Sequence, residues 1–219
     1  MLSSLRTADQ GQSRMPTDLT FTSLICSRLC HDLVGPVGAI ANGIELMEME
    51  DDPAMADDAL DLLRSSATNA SRRLSFLRLA FGSSGGDELP LPVADARRAA
   101  VEFFEDHRLE LVWPEGDAPG VAKGRTRLAL NLLLAGAGGL IRGGDLLIDL
   151  TSDVLIVRGV HERAGLSEQV VDALEGRSSA STGEDARIIE CYLAHMIAEN
   201  EGLTIKVDQG AGQFTISVS

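Results

Sequence analysis

Residues 24–47 have the sequence LICSRLCHDLVGPVGAIANGIELM, in which apolar positions recur with the spacing of an amphipathic helix. At about 100° per residue, these apolar side chains lie roughly 120° to 240° around the helix from His31. The pattern therefore predicts that the His31 imidazole points away from the buried face and into solvent. The apolar stripe consists of Ile25, Leu29, Leu33, Pro36, Val37, Ile40, Ile44 and Met47.

Small residues surround His31 on its own face of the helix. Gly35, Gly38 and Asn42 lie within about 40° of His31, and we call these three residues the docking strip because a partner could approach the backbone closely there. Pro36 has no backbone N–H, so the Asp32 carbonyl loses its usual helical donor and we predict a local bend. Glycine and proline cost stability inside a helix, which favours a functional reason for their presence.

The residues that follow His31 match a known signalling motif. The run His31-Asp-Leu-x-x-Pro36-Val-x-x-Ile40 resembles the H-box of two-component sensor histidine kinases. The longer run Cys30-His-Asp-Leu-x-x-Pro-Val-Gly-Ala-Ile, followed by Asn42-Gly-Ile-Glu-Leu, is similar to ChpT-type histidine phosphotransferases. This resemblance implies a phosphorelay histidine phosphotransferase. His31 would accept a phosphoryl group on Nε2 and pass it between aspartates of response-regulator receiver domains, with a hybrid histidine kinase upstream.

The resemblance also suggests roles for the neighbours of His31. Asp32 matches the acidic residue of the family motif and would orient the imidazole or accept its proton. We expect the docking strip to bind the active-site edge of the receiver, and Arg28, one turn earlier, to help balance the phosphate charge. Two other functions remain alternatives, a non-catalytic dimeric adaptor that docks receivers and an ATP-dependent histidine kinase. The plain alternative is an ordinary exposed helix histidine.

Composition limits the range of partners. The chain has 219 residues, 44% of them hydrophobic, enough for one large core or two modest ones. Its formal net charge of −14 argues against nucleic acid or an anionic membrane as the main partner. No uninterrupted apolar run approaches the roughly 20 residues of a membrane span, and the N-terminus lacks a signal pattern. We therefore predict a cytoplasmic protein without a membrane partner.

The three cysteines predict reduced thiols rather than a disulfide framework, because their number is odd and their spacing sparse. Cys26 and Cys30 lie one helical turn apart beside His31, which raises the question of a metal site. The helix geometry places both toward the apolar stripe, and two ligands are too few for structural zinc. We predict that these cysteines pack against apolar neighbours and that no metal is bound.

The first part of the chain predicts a helical hairpin. Residues 1–16 are polar and without periodicity, as in a disordered leader. Residues 17–81 form two long helices, the first capped by Thr17 or Asp18 and ending near Glu50, the second beginning at about Ala56. One hairpin cannot hide the apolar stripes of both helices, so we predict a homodimer that forms a four-helix bundle. The alternative is that the rest of the chain covers the stripes.

Residues 82–92 are predicted to be a flexible linker, and residues 93–219 a second domain. Its pattern predicts an α+β sandwich with helices on one face of a largely antiparallel sheet. The predicted helices are 93–107, 123–141, 167–174 and 185–200. The predicted strands are 109–113, 146–151, 154–160, 203–207 and 214–218, with the last two joined around Gly210-Ala-Gly212.

The element order of this second domain resembles the ATP-binding domain of histidine kinases, the GHKL or Bergerat fold. Arg127-Leu-Ala-Leu-Asn131 is similar to the start of a kinase N-box, and residues 184–205 to the last kinase helix and strand. The magnesium ligand of the N-box falls on Ala135, however, and Arg158-Gly-Val160 stands in place of Asp-x-Gly-x-Gly. The phosphate loop is reduced to SSASTG at residues 178–183. We expect no ATP binding and no cofactor held by this chain, with Mg²⁺ supplied by the receiver.

The other histidines, His107, His161 and His195, have no nucleophile or ligand set nearby in sequence. We expect them to be structural or solvent-exposed residues.

Overall fold

A computed structural model describes residues 18–49, 53–82, 91–116, 118–180 and 183–219. The predicted leader 1–16, the Thr17 cap and most of the predicted linker lie outside these residues. Helices α1 (Asp18–Met49) and α2 (Pro53–Phe81) pack against each other as the predicted hairpin. Helix α1 continues through Pro36, so the expected bend does not interrupt the helix.

A glycine marks the close approach of the two helices. Gly43 is buried, and a Cβ atom added there would lie 2.8 Å from Leu63 Cγ and 3.6 Å from the Ala59 carbonyl oxygen. At Gly38, five residues earlier, an added Cβ would meet nothing within 4 Å. The two glycines therefore have different reasons for lacking a side chain, one in packing and one at the surface.

Alanine at these two positions should change stability in opposite directions. Gly38→Ala should raise the free energy of unfolding by about 1 kcal/mol, since alanine is the better helix former and meets no neighbour. Gly43→Ala should lower it, because overpacking costs of roughly 1–3 kcal/mol exceed the same helix-propensity gain. Chemical denaturation of both variants measures the difference. Equal stabilisation of both would mean that Leu63 yields freely and the helix contact is loose.

The second part of the chain contains a five-stranded mixed sheet in the order β1-β2-β3-β5-β4. β1 and β2 are parallel, and the other neighbouring strands are antiparallel. The elements are α3 (Val93–Phe104), β1 (Leu109–Val112), α4 (Lys123–Gly138), β2 (Gly144–Leu150), β3 (Leu155–Val160), α5 (Glu168–Leu174), a 3₁₀ helix (Gly183–Ile188), α6 (Ile189–Asn200), β4 (Ile205–Gly210) and β5 (Gln213–Val218).

The sheet has one buried and one solvent-facing surface. Leu155 and Val157 of β3 are fully buried, Ile156 between them is half-buried, and Arg158 and Val160 beyond them are exposed. Helix α4 packs against β2 and β3, and its side chains are buried along most of its length. The predicted α+β class, with helices on one face of a largely antiparallel sheet, is confirmed.

Several predicted boundaries are wrong. The predicted helix 123–141 ends at Gly138, because the chain turns there before β2, and the predicted strand 203–207 is β4 at Ile205–Gly210. Helix α3 ends at Phe104, because residues 105–108 turn and the His107 ring folds back against Phe103 and Phe104. The predicted helix 185–200 begins as the separate 3₁₀ helix before α6. The buried Asp185 carboxylate in that turn accepts hydrogen bonds from the Tyr192 hydroxyl and the Gln169 amide, each at 3.3 Å. These side-chain contacts hold the 3₁₀ turn, and the periodicity of the sequence does not reveal them.

One end of the hairpin shares its core with residues 93–219, which we call the sheet domain. Leu24 of α1 and Phe76, Leu77 and Ala80 of α2 belong to the same buried cluster as the side chains of α3 and α4. The division of the chain at residues 82–92 stays a prediction.

The hairpin also leaves large apolar side chains exposed to solvent. They include Val34, Val37, Ile44, Met55, Leu62 and Leu74. The sheet domain thus covers only part of the two stripes. By length and composition, Leu19–Glu48 of α1 would also be long and apolar enough to cross a bilayer.

Candidate functional site

The His31 side chain projects from the middle of α1 and is 79% exposed. Its Nδ1 atom lies 3.0 Å from Asp32 Oδ1. A carboxylate can only accept a hydrogen bond, so this contact requires a proton on Nδ1, and in the neutral imidazole the lone pair is then on Nε2. The unprotonated nitrogen is therefore the one available to an incoming electrophile.

Asp32 is held from its other side by Arg28. Its Oδ2 atom accepts a hydrogen bond from Arg28 Nε at 2.8 Å, and its side chain is only 11% exposed. The two oxygens of this carboxylate therefore have separate partners, one in the imidazole and one in the guanidinium. Because each oxygen has its own hydrogen-bond partner, the orientation of the carboxylate is fixed.

Arg28 in turn contacts the sheet domain. Its Nη1 atom donates to Glu190 Oε2 at 2.8 Å and to the Arg187 backbone carbonyl at 2.6 Å. Burial by itself lowers the pKa of Arg28, but the charges and hydrogen bonds of Glu190 and Asp32 outweigh it and raise that pKa. The guanidinium is thus a permanent cation already engaged by its own chain. Its direct contact with a phosphoryl group stays a prediction.

Glu190 is a functional candidate that sequence reasoning missed. It lies in the first turn of α6, is 4% exposed, and has the fully buried Ile189 and Cys191 as neighbours. Burial raises the pKa of the Glu190 carboxyl, with the Arg28 charge acting in the opposite direction. The signal available in the sequence was a single acidic residue inside an apolar run, Ile188-Ile-Glu-Cys-Tyr-Leu193.

A groove of about 360 Å³ adjoins the imidazole between α1 and the 3₁₀ helix. It is lined by Ser27, Arg28, His31, Asp32, Ala186 and Arg187. The Arg187 side chain is exposed, whereas its carbonyl binds Arg28. The groove therefore joins residues of the hairpin and the sheet domain beside one ring.

The docking strip is open on the other side of His31. Gly35, Gly38 and Asn42 are all exposed, and a Cβ at either glycine would meet nothing within 4 Å. Gly35 also lines a second groove, of about 430 Å³, which extends to Ser66 and Asn69 of α2. The structure therefore places the three predicted strip residues on one accessible surface with His31.

Comparison with known proteins identifies the family. The protein-family model for the histidine phosphotransferase C-terminal domain matches residues 93–213 of this chain. The chain belongs to the histidine phosphotransferase family. The phosphotransferase is 37% identical over 202 residues to the protein phosphotransferase ChpT of Brucella abortus (strain 2308), covering 91% of this chain and 95% of the relative. A solved bacterial phosphotransferase matches with a TM-score of 0.80 at 29% identity, covering 94% of this chain and 99% of that structure.

The remaining histidines of the phosphotransferase lie in unrelated surroundings. His107 is half-buried, and burial together with the nearby Arg73 charge lowers its pKa. His161 Nδ1 accepts a hydrogen bond from the Arg163 backbone N–H at 3.1 Å. The His195 ring lies against Gly176, where any side chain would collide with it. These three have the structural settings that the sequence suggested.

The cysteines correct one sequence expectation. Cys191 is buried, and burial raises its pKa well above the ordinary value. Cys26 and Cys30, which were expected to be packed, are exposed. Helix α2 covers only one side of α1, and these cysteines lie on the side that also carries Val37 and Ile44. Among the residues that the structure describes, no group of three or more His, Cys, Asp or Glu side chains could hold a metal ion.

Proposed function

We propose that this phosphotransferase carries a phosphoryl group on His31 Nε2 between aspartates of response-regulator receiver domains, with a hybrid histidine kinase as the upstream source. The observation that supports this most directly is the exposed imidazole, whose Nδ1 is occupied by Asp32. In this proposal Asp32 orients the imidazole, and the docking strip binds the active-site edge of the receiver domain.

The chemistry requires little beyond position and charge. The Nε2 lone pair attacks the phosphorus of an aspartyl phosphate, the N–P bond forms, and the P–O bond to the receiver carboxylate breaks. The ring then carries a positive charge and keeps its Nδ1 proton, opposite the Asp32 carboxylate at 3.0 Å. In the second half-reaction an aspartate of another receiver attacks the same phosphorus, and the imidazole leaves neutral. Mg²⁺ held by each receiver would neutralise the transferring group.

We further propose that the sheet domain binds no ATP. The amide of Asn131, the N-box-like asparagine, donates to the carbonyl oxygens of Ala80 and Arg127, each at 2.9 Å. Asn131 itself is fully buried, so its oxygen is not available to an ion from solvent. Ala135 is buried without a ligand atom in its side chain, and Gly159 lies against the Phe214 ring. These residues do not fit a magnesium–nucleotide complex.

Transfer of label tests the proposed function. The chain is mixed with a receiver domain that carries a radioactive phosphoryl group, and label is followed on this chain. Acid-labile, base-stable label supports phosphohistidine. Absence of label under conditions where the receiver binds would favour the adaptor. ATP binding by calorimetry, with labelling from ATP alone, would favour the kinase.

We also propose that two copies pair through the uncovered faces of their hairpins. Val37 is 54% exposed, Ile44 48% and Leu74 52%, and burial of such side chains is the main driving force for association. The same apolar face would explain why α1 resembles a membrane span in composition, so we place the protein in the cytoplasm.

Charge on this face should dissociate the dimer. Val37→Glu would bury a carboxylate between two apolar surfaces, a cost of several kcal/mol that a hairpin contact cannot offset. Analytical ultracentrifugation should report a dimer for the unchanged chain and a monomer for the variant. Glu45→Gln, a change at an exposed polar position of α1, is the control and should remain dimeric. A monomeric unchanged chain would contradict the proposal.

A further inference from the structure

The sheet domain reaches the imidazole through three consecutive short contacts. Glu190 of α6 binds Arg28 at 2.8 Å, Arg28 binds Asp32 at 2.8 Å, and Asp32 binds His31 at 3.0 Å. The contacts use different atoms at each step, Nη1 and Nε of Arg28 and then Oδ2 and Oδ1 of Asp32. Arg28 therefore binds its two carboxylate partners with different nitrogens, and only Nη1 has a further acceptor, the Arg187 carbonyl.

We propose that Glu190 and Arg28 are positioning residues that set the orientation and tautomer of His31 through Asp32. The inference rests on the proposed function of His31 and deepens it, because it assigns a part in the transfer to the sheet domain. The domain that does not fit a nucleotide thereby contributes to the reactivity of the hairpin.

Burial supports this assignment. The His31 side chain is 79% exposed, whereas the three side chains behind it are mostly buried, with 11% exposed at Asp32, 17% at Arg28 and 5% at Glu190. A carboxylate inside apolar surroundings is costly unless a cation compensates it, so Glu190 and Arg28 hold each other in place. An exposed histidine has few contacts that fix the orientation of its ring. Here the restraint on the His31 ring comes, through Asp32 and Arg28, from the buried Glu190 of α6.

The charges around Arg28 also support a positioning role for Glu190. Without Glu190, Arg28 would keep Asp32 as its carboxylate partner and could turn with it toward solvent, as an ordinary helix pair four residues apart does. Glu190 and the Arg187 carbonyl fix the guanidinium from the other side. The Asp32 oxygen that faces Nδ1 is then restrained, and Nε2 remains the unprotonated nitrogen.

The main alternative is that this ion pair only joins the two parts of the chain. A double substitution separates the two roles. Glu190→Met with Arg28→Met replaces the buried pair by apolar side chains of similar length, which generally preserves packing. It also removes the restraint on Asp32. If the pair is only a tether, the double variant should behave like the unchanged chain.

The test uses the full chain with ¹⁵N-labelled histidine and a phosphorylated receiver. The unchanged chain should show His31 mainly protonated at Nδ1, with its signals assigned by their absence in His31→Gln. Glu190→Met and the double variant should show a mixture of tautomers and transfer the phosphoryl group roughly tenfold more slowly, as loss of outer hydrogen-bond partners commonly does. Glu190→Gln, which keeps one acceptor, should lie between and serves if Glu190→Met folds poorly.

Glu105→Gln is the matched control. It breaks another ion pair between the hairpin and the sheet domain, Arg72–Glu105 at 2.6 Å, which has no contact with Asp32. In this variant the His31 tautomer and the rate of phosphoryl transfer should both be unchanged. Normal tautomer and rate in the double variant would overturn the proposal. Failure of the unchanged chain to accept label would instead remove the proposed function, while the ¹⁵N spectra would still decide whether Glu190 positions the ring.

Discussion

Replacement of His31 by glutamine is expected to abolish phosphoryl uptake from a phosphorylated receiver domain. Glutamine has a similar length, but its amide nitrogen has no free lone pair with which to form an N–P bond. The His31 side chain is 79% exposed, so the fold should lose no more than about 0.5 kcal/mol of stability. The measurement is a time course of label on the chain, with thermal unfolding recorded for the same sample.

Binding of the receiver and transfer of its phosphoryl group have to be measured separately in that experiment. The His31→Gln chain should still bind the receiver, because the docking strip is unchanged. His161→Gln, at a histidine held by the Arg163 backbone, should accept label like the unchanged chain. Label that persists in His31→Gln would place the phosphoacceptor elsewhere. Binding without label in the unchanged chain would leave only the adaptor.

Much of this architecture could be predicted from local pattern. The stripe around Val37 and Ile44 predicted α1, and the alternation along residues 154–160 predicted a strand that is buried on one face. Those signals succeed because the period of an element and the face on which each side chain lies follow from its own sequence. The exposure of His31 follows for the same reason.

The contacts between distant segments could not be predicted in this way. Arg28 and Glu190 are 162 positions apart, and no local pattern places them together. The sequence placed Arg28 one turn before His31 but could not show that it binds Asp32, Glu190 and the Arg187 carbonyl. Asn131 shows the same limit, because its N-box-like motif does not indicate its partners and only the structure places its amide against the Ala80 carbonyl.

A large side chain on the docking strip should also have a large effect on phosphoryl transfer. Gly38→Trp should reduce transfer from a receiver by about a hundredfold or more, because displacing the reacting atoms by about 1 Å already costs that much. An added Cβ at Gly38 meets nothing within 4 Å, so the indole should extend outward and leave the hairpin folded. Single-turnover transfer rates for Gly38→Ala, Gly38→Leu and Gly38→Trp should fall in that order, with alanine close to the unchanged chain.

A small phosphoryl donor distinguishes blocked docking from a damaged nucleophile. Phosphoramidate needs no protein surface to reach His31, so Gly38→Trp should accept its phosphoryl group at nearly the unchanged rate. Loss of both reactions would mean that the indole disturbs the imidazole or its Asp32 contact. Normal transfer from the receiver would show that the strip is not where the receiver binds. Selective loss of transfer from the receiver is the outcome expected if Gly35, Gly38 and Asn42 are small because a protein partner lies over them.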